Sequence, residues 1–234
     1  MNRSLSFPSP STPLTRSGSR WPLGCATPPT APTMCRPETG TSMSNLNQLP
    51  ADLPVPEDDG AADHLLGRAA PKLSLPSTSG ESILLDELGA GRTVLYLYPL
   101  TGRPGTDLPD GWDAIPGARG CTPEACDFLD HHDELLEAGA ARVFGVSSQD
   151  SDYQREVVDR LRLPFAMLSD THLGLAEQLG LPTFQTGEMT LFKRLTLVIR
   201  DGVIEHVFYP VFPPNEHAQQ VLSWLRSHPT PPIN

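Results

Sequence analysis

Two alternating patterns of apolar residues run along positions 71–228 and predict a series of strands and helices. Continuous runs of β-branched, aromatic and leucine residues are typical of strands buried on both faces. Apolar residues at intervals of three and four are typical of helices packed on one face. The strand runs are RTVLYLYPL at 92–100, RVFGVSS at 142–148 and FAMLSD at 165–170, and each is followed by a helical pattern, at 121–139, 153–161 and 171–180.

The first of these helices begins near Cys121 and follows a loop rich in Gly, Pro and Asp. Thr122 is expected to be its N-cap and Pro123 its first helical residue. Ala125 and Phe128 start an apolar stripe, and Gly139 is the expected end of the helix. The sequence therefore predicts one long amphipathic helix directly after a buried strand.

The pattern changes near residue 190. The runs RLTLVIR at 194–200 and VIEHVFY at 203–209 are joined by Asp201-Gly202, a strong hairpin signal, and a last helix begins at about Asn215. Alternating strands and helices predict a parallel core, and the hairpin adds antiparallel strands at one side. We expect an α/β, thioredoxin-like three-layer fold: a mixed central sheet with helices on both faces and a C-terminal β-hairpin plus helix.

Composition separates this domain, 69–228, from a segment rich in Ser, Thr and Pro at 1–60. That segment lacks apolar periodicity and is predicted to be disordered. Residues 1–42 are rich in Arg and Ser and are either an organelle transit peptide or a wrongly assigned start, with Met43 as the true initiator. The second interpretation is favoured because the segment is rich in proline, and Cys25 and Cys35 within it receive little functional weight.

The formal net charge is −11; the first 42 residues hold four arginines and one acidic residue, a charge of +3, so the rest of the chain carries −14. An acidic domain makes nucleic acid or an anionic membrane surface an improbable partner. No apolar run approaches the ~20 residues of a membrane span, and no secretory signal is visible. A cytoplasmic location is expected, with an organelle as the alternative.

Candidate chemistry centres on two cysteines, Cys121 and Cys126, in the stretch GCTPEAC. Cys121 falls at the start of a helix, where unpaired backbone N–H groups and the helix dipole stabilise a thiolate. Arg119 would add positive charge. These features predict a reactive thiol.

The spacing of the pair is informative. Five residues along an ideal helix separate the Cα atoms by about 8.7 Å, whereas a disulfide needs them within about 7 Å. A bond between the two sulfurs therefore requires the first turn to unwind. Oxidation of one cysteine to a sulfenic acid, followed by its condensation with a nearby thiol, is the reaction sequence of a peroxide-reducing enzyme.

Other interpretations of the pair remain open. Both cysteines are small apolar residues that often pack in a core, although Cys126 falls outside the apolar stripe. A metal site would need further ligands, which the adjacent His131 and His132 do not obviously supply. A thiol–disulfide oxidoreductase is disfavoured because the sequence lacks C-x-x-C.

Three blocks in order, LYLYP, GCTPEAC and RLTLVIRDGVI, resemble the peroxiredoxins, in their Q-type or bacterioferritin-comigratory-protein branch. The resemblance covers about residues 69–228. It implies that Cys121 is the peroxidatic cysteine, Cys126 the resolving cysteine, and Arg194 the arginine that stabilises thiolate and peroxide. It further implies hydroperoxide substrates, thioredoxin or a similar dithiol reductant, no cofactor or metal, and a monomer or weak dimer.

The chain also departs from the family pattern. The positions of the family's threonine and proline are Ala118 and Ala114, and the loop before Cys121 is about fifteen residues longer than usual. Thr101 or Thr122 would then supply the hydroxyl that holds the peroxide, and Pro99 would shield the thiolate. The alternative function is a non-catalytic or redox-sensing protein with a degraded peroxide site; retention of both cysteines and Arg194 favours the peroxidase.

Overall fold

The computed structural model of the protein describes residues 49–229. Its strands are β1 (Ser74–Pro76), β2 (Ser82–Leu84), β3 (Arg92–Leu97), β4 (Ala140–Ser147), β5 (Met167–Ser169), β6 (Thr183–Thr186), β7 (Met189–Phe192), β8 (Leu195–Arg200) and β9 (Val203–Phe208). Its α-helices are α1 (Cys121–Asp130), α2 (His132–Glu137), α3 (Ser151–Leu161), α4 (Gly174–Leu179) and α5 (His217–Ser227). None of the helices within 49–229 has the length and apolar character that crossing a membrane requires.

A five-stranded mixed sheet forms the centre, with the strand order β5-β4-β3-β8-β9. β3, β4 and β5 are mutually parallel, whereas β8 runs antiparallel to β3, and β9 antiparallel to β8. The hairpin β8–β9 therefore extends one side of a parallel core. This arrangement confirms the predicted sheet.

Helices cover both faces of the sheet and bury β3 completely. Val94, Tyr96 and Tyr98 face a core shared with α1, α2, α3 and α5. Leu95 and Leu97 face a second core shared with α4 and the segment that precedes β3. The three-layer, thioredoxin-like prediction is confirmed, because the apolar residues of β3 from Val94 onward point alternately into these two cores.

Close contact between sheet and helix fixes α1 over the parallel strands. The ring of Tyr96 stacks on Phe128 of α1, with ring centroids 4.2 Å apart. Gly145 on β4 makes room for that ring, since a Cβ there would lie 2.7 Å from the Tyr96 hydroxyl and 2.5 Å from the Met167 sulfur. The orientation of α1, and hence of its first residue, follows from this packing.

The predicted helix at 121–139 differs from the structure at both its start and its middle. The N-cap is Gly120, not Thr122, so Thr122 and Pro123 lie within the first turn. Gly120 has a left-handed backbone (φ 105°), and a Cβ there would lie 2.4 Å from Pro214, so the position requires glycine. The helix also breaks at His131 into α1 and α2, while the predicted end at Gly139 (φ 104°) is confirmed.

Two short strand pairs, β1–β2 and β6–β7, were not predicted from the sequence. Their strands have three or four residues, too few for a clear apolar period, and several of their positions are exposed. β6–β7 matters for the site because it packs against the loop that precedes Cys121.

Part of the segment predicted as disordered lies against the domain. Asp59 accepts hydrogen bonds from Lys193 Nζ at 2.6 Å and from the Tyr209 hydroxyl at 2.8 Å. Residues 49–60 therefore have a defined position, and these polar contacts at the end of the segment were not visible as apolar periodicity. Residues 1–48, with Cys25, Cys35 and Met43, lie outside the described residues.

Candidate active site

Three segments meet at the sulfur of Cys121, the first residue of α1. The backbone N–H of Leu100, in the loop after β3, lies near the sulfur and lowers the pKa of its thiol. Arg194, just before β8, places Nη2 3.2 Å from Sγ. The thiol also lies 3.6 Å from the carbonyl oxygen of Ala118. The structure thus brings together Cys121 and Arg194, two residues that the sequence analysis assigned to one site.

Arg194 is buried and held from several sides. Its Nη1 forms an ion pair with the Glu124 carboxylate, and its Nη2 donates to the carbonyl oxygens of Ala118 at 3.4 Å and Arg119 at 3.2 Å. These contacts fix the guanidinium against the sulfur. The guanidinium of Arg119, which was expected to add charge near Cys121, pairs with Asp113 at 3.2 Å.

Glu124 is the residue of this site that sequence reasoning missed. It lies three positions after Cys121 and therefore on the same face of α1. Its side chain is fully buried, and among the described residues Oε1 has no hydrogen-bond partner, while Oε2 contacts Arg194. Burial raises the pKa of this carboxyl to about 7, although Arg194 acts in the opposite direction. The i+3 spacing from the cysteine was the signal that could have identified it.

Opposing effects act on the thiol of Cys121, which is 3% exposed. Burial raises its pKa, Arg194 lowers it, and the Glu124 carboxylate raises it. The net direction is upward, so the protonated thiol is favoured while the site is closed. The helix start alone, on which the expectation of a thiolate rested, does not decide the charge state here.

We expect Glu124→Gln to lower the pKa of the Cys121 thiol, because it removes the negative charge that raises that pKa. The variant also leaves Arg194 buried beside a neutral partner, and we expect it to lose at most about 3–5 kcal/mol of stability. The pH dependence of Cys121 alkylation, followed by peptide mass spectrometry, measures the first effect.

The matched control for this variant is Glu205→Gln, which removes the partner of another buried arginine, Arg92, at the start of β3. It should lower stability and leave the Cys121 titration unchanged. A Cys121 pKa that stays constant or rises in Glu124→Gln contradicts the expected role of the carboxylate.

Cys126 lies in the second turn of α1 and is buried, 8% exposed, in the same core cluster as Cys121 and Phe128. No disulfide joins the two cysteines in the described chain. The inference that Cys126 lies outside the packed face is wrong, because the first eight residues of α1 are all buried. α5 and the turn Pro214–Glu216 also pack against α1, so the stripe on one face does not distinguish a reactive cysteine from a packing one.

The three residues predicted to bind substrate differ in their surroundings. Thr101 faces Gln149: its hydroxyl and its N–H both donate to Oε1, at 3.0 and 2.9 Å, and its carbonyl accepts from Nε2 at 3.1 Å. The Thr101 hydroxyl thus donates to Gln149 and keeps its capacity to accept a hydrogen bond, and its role in holding the peroxide stays a prediction. Thr122 is buried beside Cys121 in the first turn, and Pro99 is buried after the end of β3.

Comparison with known proteins extends this picture. The redoxin family model matches residues 65–222. Peroxiredoxin Bcp of Escherichia coli K12 is 32% identical over 166 residues, which cover 69% of this chain and 96% of that protein. Peroxiredoxin Q, chloroplastic, of Oryza sativa subsp. japonica is 28% identical over 207 residues, covering 84% of this chain and 87% of that protein.

Solved structures agree with the sequence comparisons. Peroxidoxin BcpB of Mycobacterium tuberculosis is 27% identical and superposes with a TM-score of 0.57, covering 70% of this chain and 98% of that one. Peroxiredoxin Q of Xanthomonas campestris, 22% identical with a TM-score of 0.55, covers 71% and 98% and shows the same fold. The family match spans most of the domain that carries Cys121, Cys126 and Arg194, and the chain belongs to the redoxin family, in its peroxiredoxin Q and Bcp branch.

Proposed function

We propose that this protein is a thiol peroxidase that reduces hydrogen peroxide and organic hydroperoxides at Cys121. The observation that carries the proposal is the Arg194 guanidinium 3.2 Å from the Cys121 sulfur, at the first residue of a helix. The names of its relatives, peroxiredoxin Q and Bcp, support the same activity.

In the first step the Cys121 thiolate attacks one peroxide oxygen. A sulfur–oxygen bond forms and the oxygen–oxygen bond breaks, so that sulfur is oxidised and the peroxide reduced by one electron pair. The second oxygen leaves as hydroxide or alkoxide and takes up a proton. Arg194 lies where negative charge moves from sulfur to this leaving oxygen, and a fixed cation there lowers the barrier.

In the second step the Cys126 thiolate attacks the sulfenic sulfur of Cys121. A disulfide forms and the sulfenic oxygen leaves as water after protonation. A dithiol protein, thioredoxin or a similar reductant, then exchanges with this disulfide and returns both cysteines to thiols. A reducing compartment, the cytoplasm, suits this cycle; an organelle is the alternative, since relatives in rice and wheat are named chloroplastic.

The direct test is consumption of hydrogen peroxide by the reduced protein in the presence of thioredoxin, its reductase and NADPH. The proposal expects catalytic turnover with each cycle consuming one NADPH. Absence of turnover with any dithiol reductant would reject it.

The deep burial of Cys121 favours a second candidate, a redox sensor that reacts slowly and without turnover. The two candidates differ in the second-order rate of Cys121 oxidation and in whether a dithiol protein reduces the product. A slow single oxidation that thioredoxin does not reverse would support the sensor.

We expect Arg194→Ala to raise the pKa of the Cys121 thiol and to slow its oxidation, because the guanidinium lowers that pKa. Loss of one fixed hydrogen-bond donor to the charge that develops in a transition state lowers a rate by about 10²–10³. Thiolate absorbance against pH and stopped-flow oxidation by hydrogen peroxide measure the two effects.

Arg92→Ala is the matched control for Arg194→Ala. Arg92 is equally buried and binds Glu205 through two hydrogen bonds, at 2.7 and 2.8 Å. It begins β3, about 20 Å along the strand from the site. This control should lose stability and keep the thiol titration, whereas an unchanged titration in Arg194→Ala would show that the guanidinium does not tune Cys121.

A further inference from the structure

Residues 100–119, which we call the cover loop, contact the reacting sulfur and its arginine from both ends. At the first end the backbone N–H of Leu100 lies near the Cys121 sulfur and lowers the pKa of its thiol. At the other end the carbonyls of Ala118 and Arg119 accept hydrogen bonds from Arg194. Any displacement of this loop therefore changes access to Cys121.

The middle of the cover loop is anchored by Trp112, which is 3% exposed. Trp112 starts a short 3₁₀ turn, Trp112–Ala114, and clusters with buried Ala118 and Leu191. Its ring centroid lies 6.1 Å from that of Phe184 on β6. An apolar contact between the loop and the β6–β7 hairpin thus holds the loop down.

Polar contacts hold the beginning of the same loop on α3. The guanidinium of Arg103 lies 3.8 Å from the ring centroid of Tyr153, and Arg160 Nη2 donates to the Gly102 carbonyl at 3.2 Å. The loop is therefore fixed at α3, at the β6–β7 hairpin and at Arg194. With the loop in this position, Cys121 is 3% exposed.

We infer that the cover loop makes the site selective for small hydroperoxides and that Trp112 is the residue that determines this selectivity. Hydrogen peroxide needs only a small opening to reach the sulfur, whereas an aromatic or long-chain hydroperoxide needs the loop to leave the hairpin. Removing the Trp112 side chain removes its packing against Leu191 and Phe184, an apolar contact that resists this movement. The inference rests on the proposed peroxidase function.

The first experiment compares kcat/KM for cumene hydroperoxide and for hydrogen peroxide in wild type, Trp112→Ala and Trp112→Phe. We expect the cumene-to-hydrogen peroxide ratio to rise about tenfold or more in Trp112→Ala. Trp112→Phe keeps an aromatic ring against Phe184 and should stay near the wild-type ratio. An equal change for both substrates in Trp112→Ala would overturn the inference.

The second experiment does not depend on peroxidase activity. Reduced protein is alkylated with N-ethylmaleimide or with the bulkier N-(1-pyrenyl)maleimide, and modification of Cys121 is quantified by peptide mass spectrometry. The ratio of the alkylation rate with the pyrenyl reagent to that with N-ethylmaleimide should rise in Trp112→Ala by a similar factor. An unchanged ratio would overturn the inference that the cover loop restricts access to Cys121. If wild type lacks peroxidase turnover while this ratio still rises in Trp112→Ala, the proposed function is wrong, but the inference that the cover loop controls access to Cys121 is supported.

Phe184→Ala provides a second route, because it removes the hairpin side of the contact and leaves the loop sequence intact. It should raise both ratios in the same direction as Trp112→Ala, and circular dichroism establishes that each variant is folded. Folded Phe184→Ala with wild-type ratios in both experiments would show that the contact between Trp112 and Phe184 does not control access.

Discussion

Replacing Cys121 with serine is expected to abolish peroxide turnover and to leave the fold intact. A serine hydroxyl is not ionised near neutral pH, so the variant lacks the nucleophile, and loss of a nucleophile costs about 10³–10⁶ in rate. The hydroxyl still has the Ala118 carbonyl to donate to and Arg194 to accept from. We therefore expect a change in unfolding free energy within about 1 kcal/mol.

The measurement for Cys121→Ser is hydrogen peroxide consumption coupled to thioredoxin and its reductase, with thermal unfolding run in parallel. The control is the double variant Cys25→Ser, Cys35→Ser, which removes the two cysteines outside the described residues and should keep the wild-type rate. Appreciable thioredoxin-dependent turnover in Cys121→Ser would overturn the assignment of the nucleophile.

The layers of this fold were predictable because they depend on patterns within each segment. β3 has four apolar residues in a row, Val94 to Leu97, and is buried on both faces, and Asp201-Gly202 marks the β8–β9 hairpin. The helical segment ends at Gly139 because this glycine adopts a left-handed backbone conformation. Each of these features is local, so a single stretch of sequence was enough to show it.

The parts of the site that were missed depend on contacts between distant segments. Glu124 sits on a helix whose whole circumference is buried, which no stripe of apolar residues on one face can indicate. The hydrogen bond from the Thr101 hydroxyl to Gln149, 48 positions away, is likewise a contact that no local pattern indicates. Trp112 lies in a loop without periodicity, and its packing becomes visible only through the short hairpin that was itself not predicted.

The second large effect concerns Cys126, and it starts from the geometry of α1 in the reduced protein. Both cysteines lie on this helix, where an ideal five-residue step separates the Cα atoms by about 8.7 Å. A disulfide tolerates about 7 Å at most. Formation of the bond proposed for the catalytic cycle therefore requires the first turn of α1 to unwind.

The contacts of α1 divide it into a part that can move and a part that is held. The Asp127 carboxylate accepts the Ala218 N–H at the start of α5 at 2.6 Å, and Phe128 stacks on Tyr96. Before Asp127, unwinding breaks bonds such as Glu124 N–H to the Gly120 carbonyl, each worth about 1 kcal/mol net. It also moves Glu124 relative to Arg194, so the cost exceeds that of the backbone bonds alone.

We therefore expect Cys126→Ser to stop the cycle after its first step. Without a resolving thiol, the Cys121 sulfenic acid accumulates and excess peroxide oxidises it further to sulfinic acid. Thioredoxin-dependent turnover should fall to near the level of Cys121→Ser, whereas the rate of the first oxidation should stay close to wild type. A burst of one peroxide per protein, without further turnover, is the kinetic signature.

Mass spectrometry and amide exchange together test this mechanism. Oxidised wild type should lose two hydrogens in a peptide bridged between Cys121 and Cys126, and its amides at 124–126 should exchange faster than in the reduced protein. Amides of β3 and of His131, which donates to the Asp127 carbonyl, should remain slow, because the contacts of Asp127 and Phe128 hold that part of α1 in place. In Cys126→Ser the 124–126 amides should keep their slow exchange after oxidation, since no bond draws Cys121 out of the helix. An intermolecular Cys121 disulfide, or a bridge from Cys121 to Cys25 or Cys35, would show that another thiol resolves the sulfenic acid. Full peroxidase turnover in Cys126→Ser would lead to the same conclusion without mapping of the disulfide.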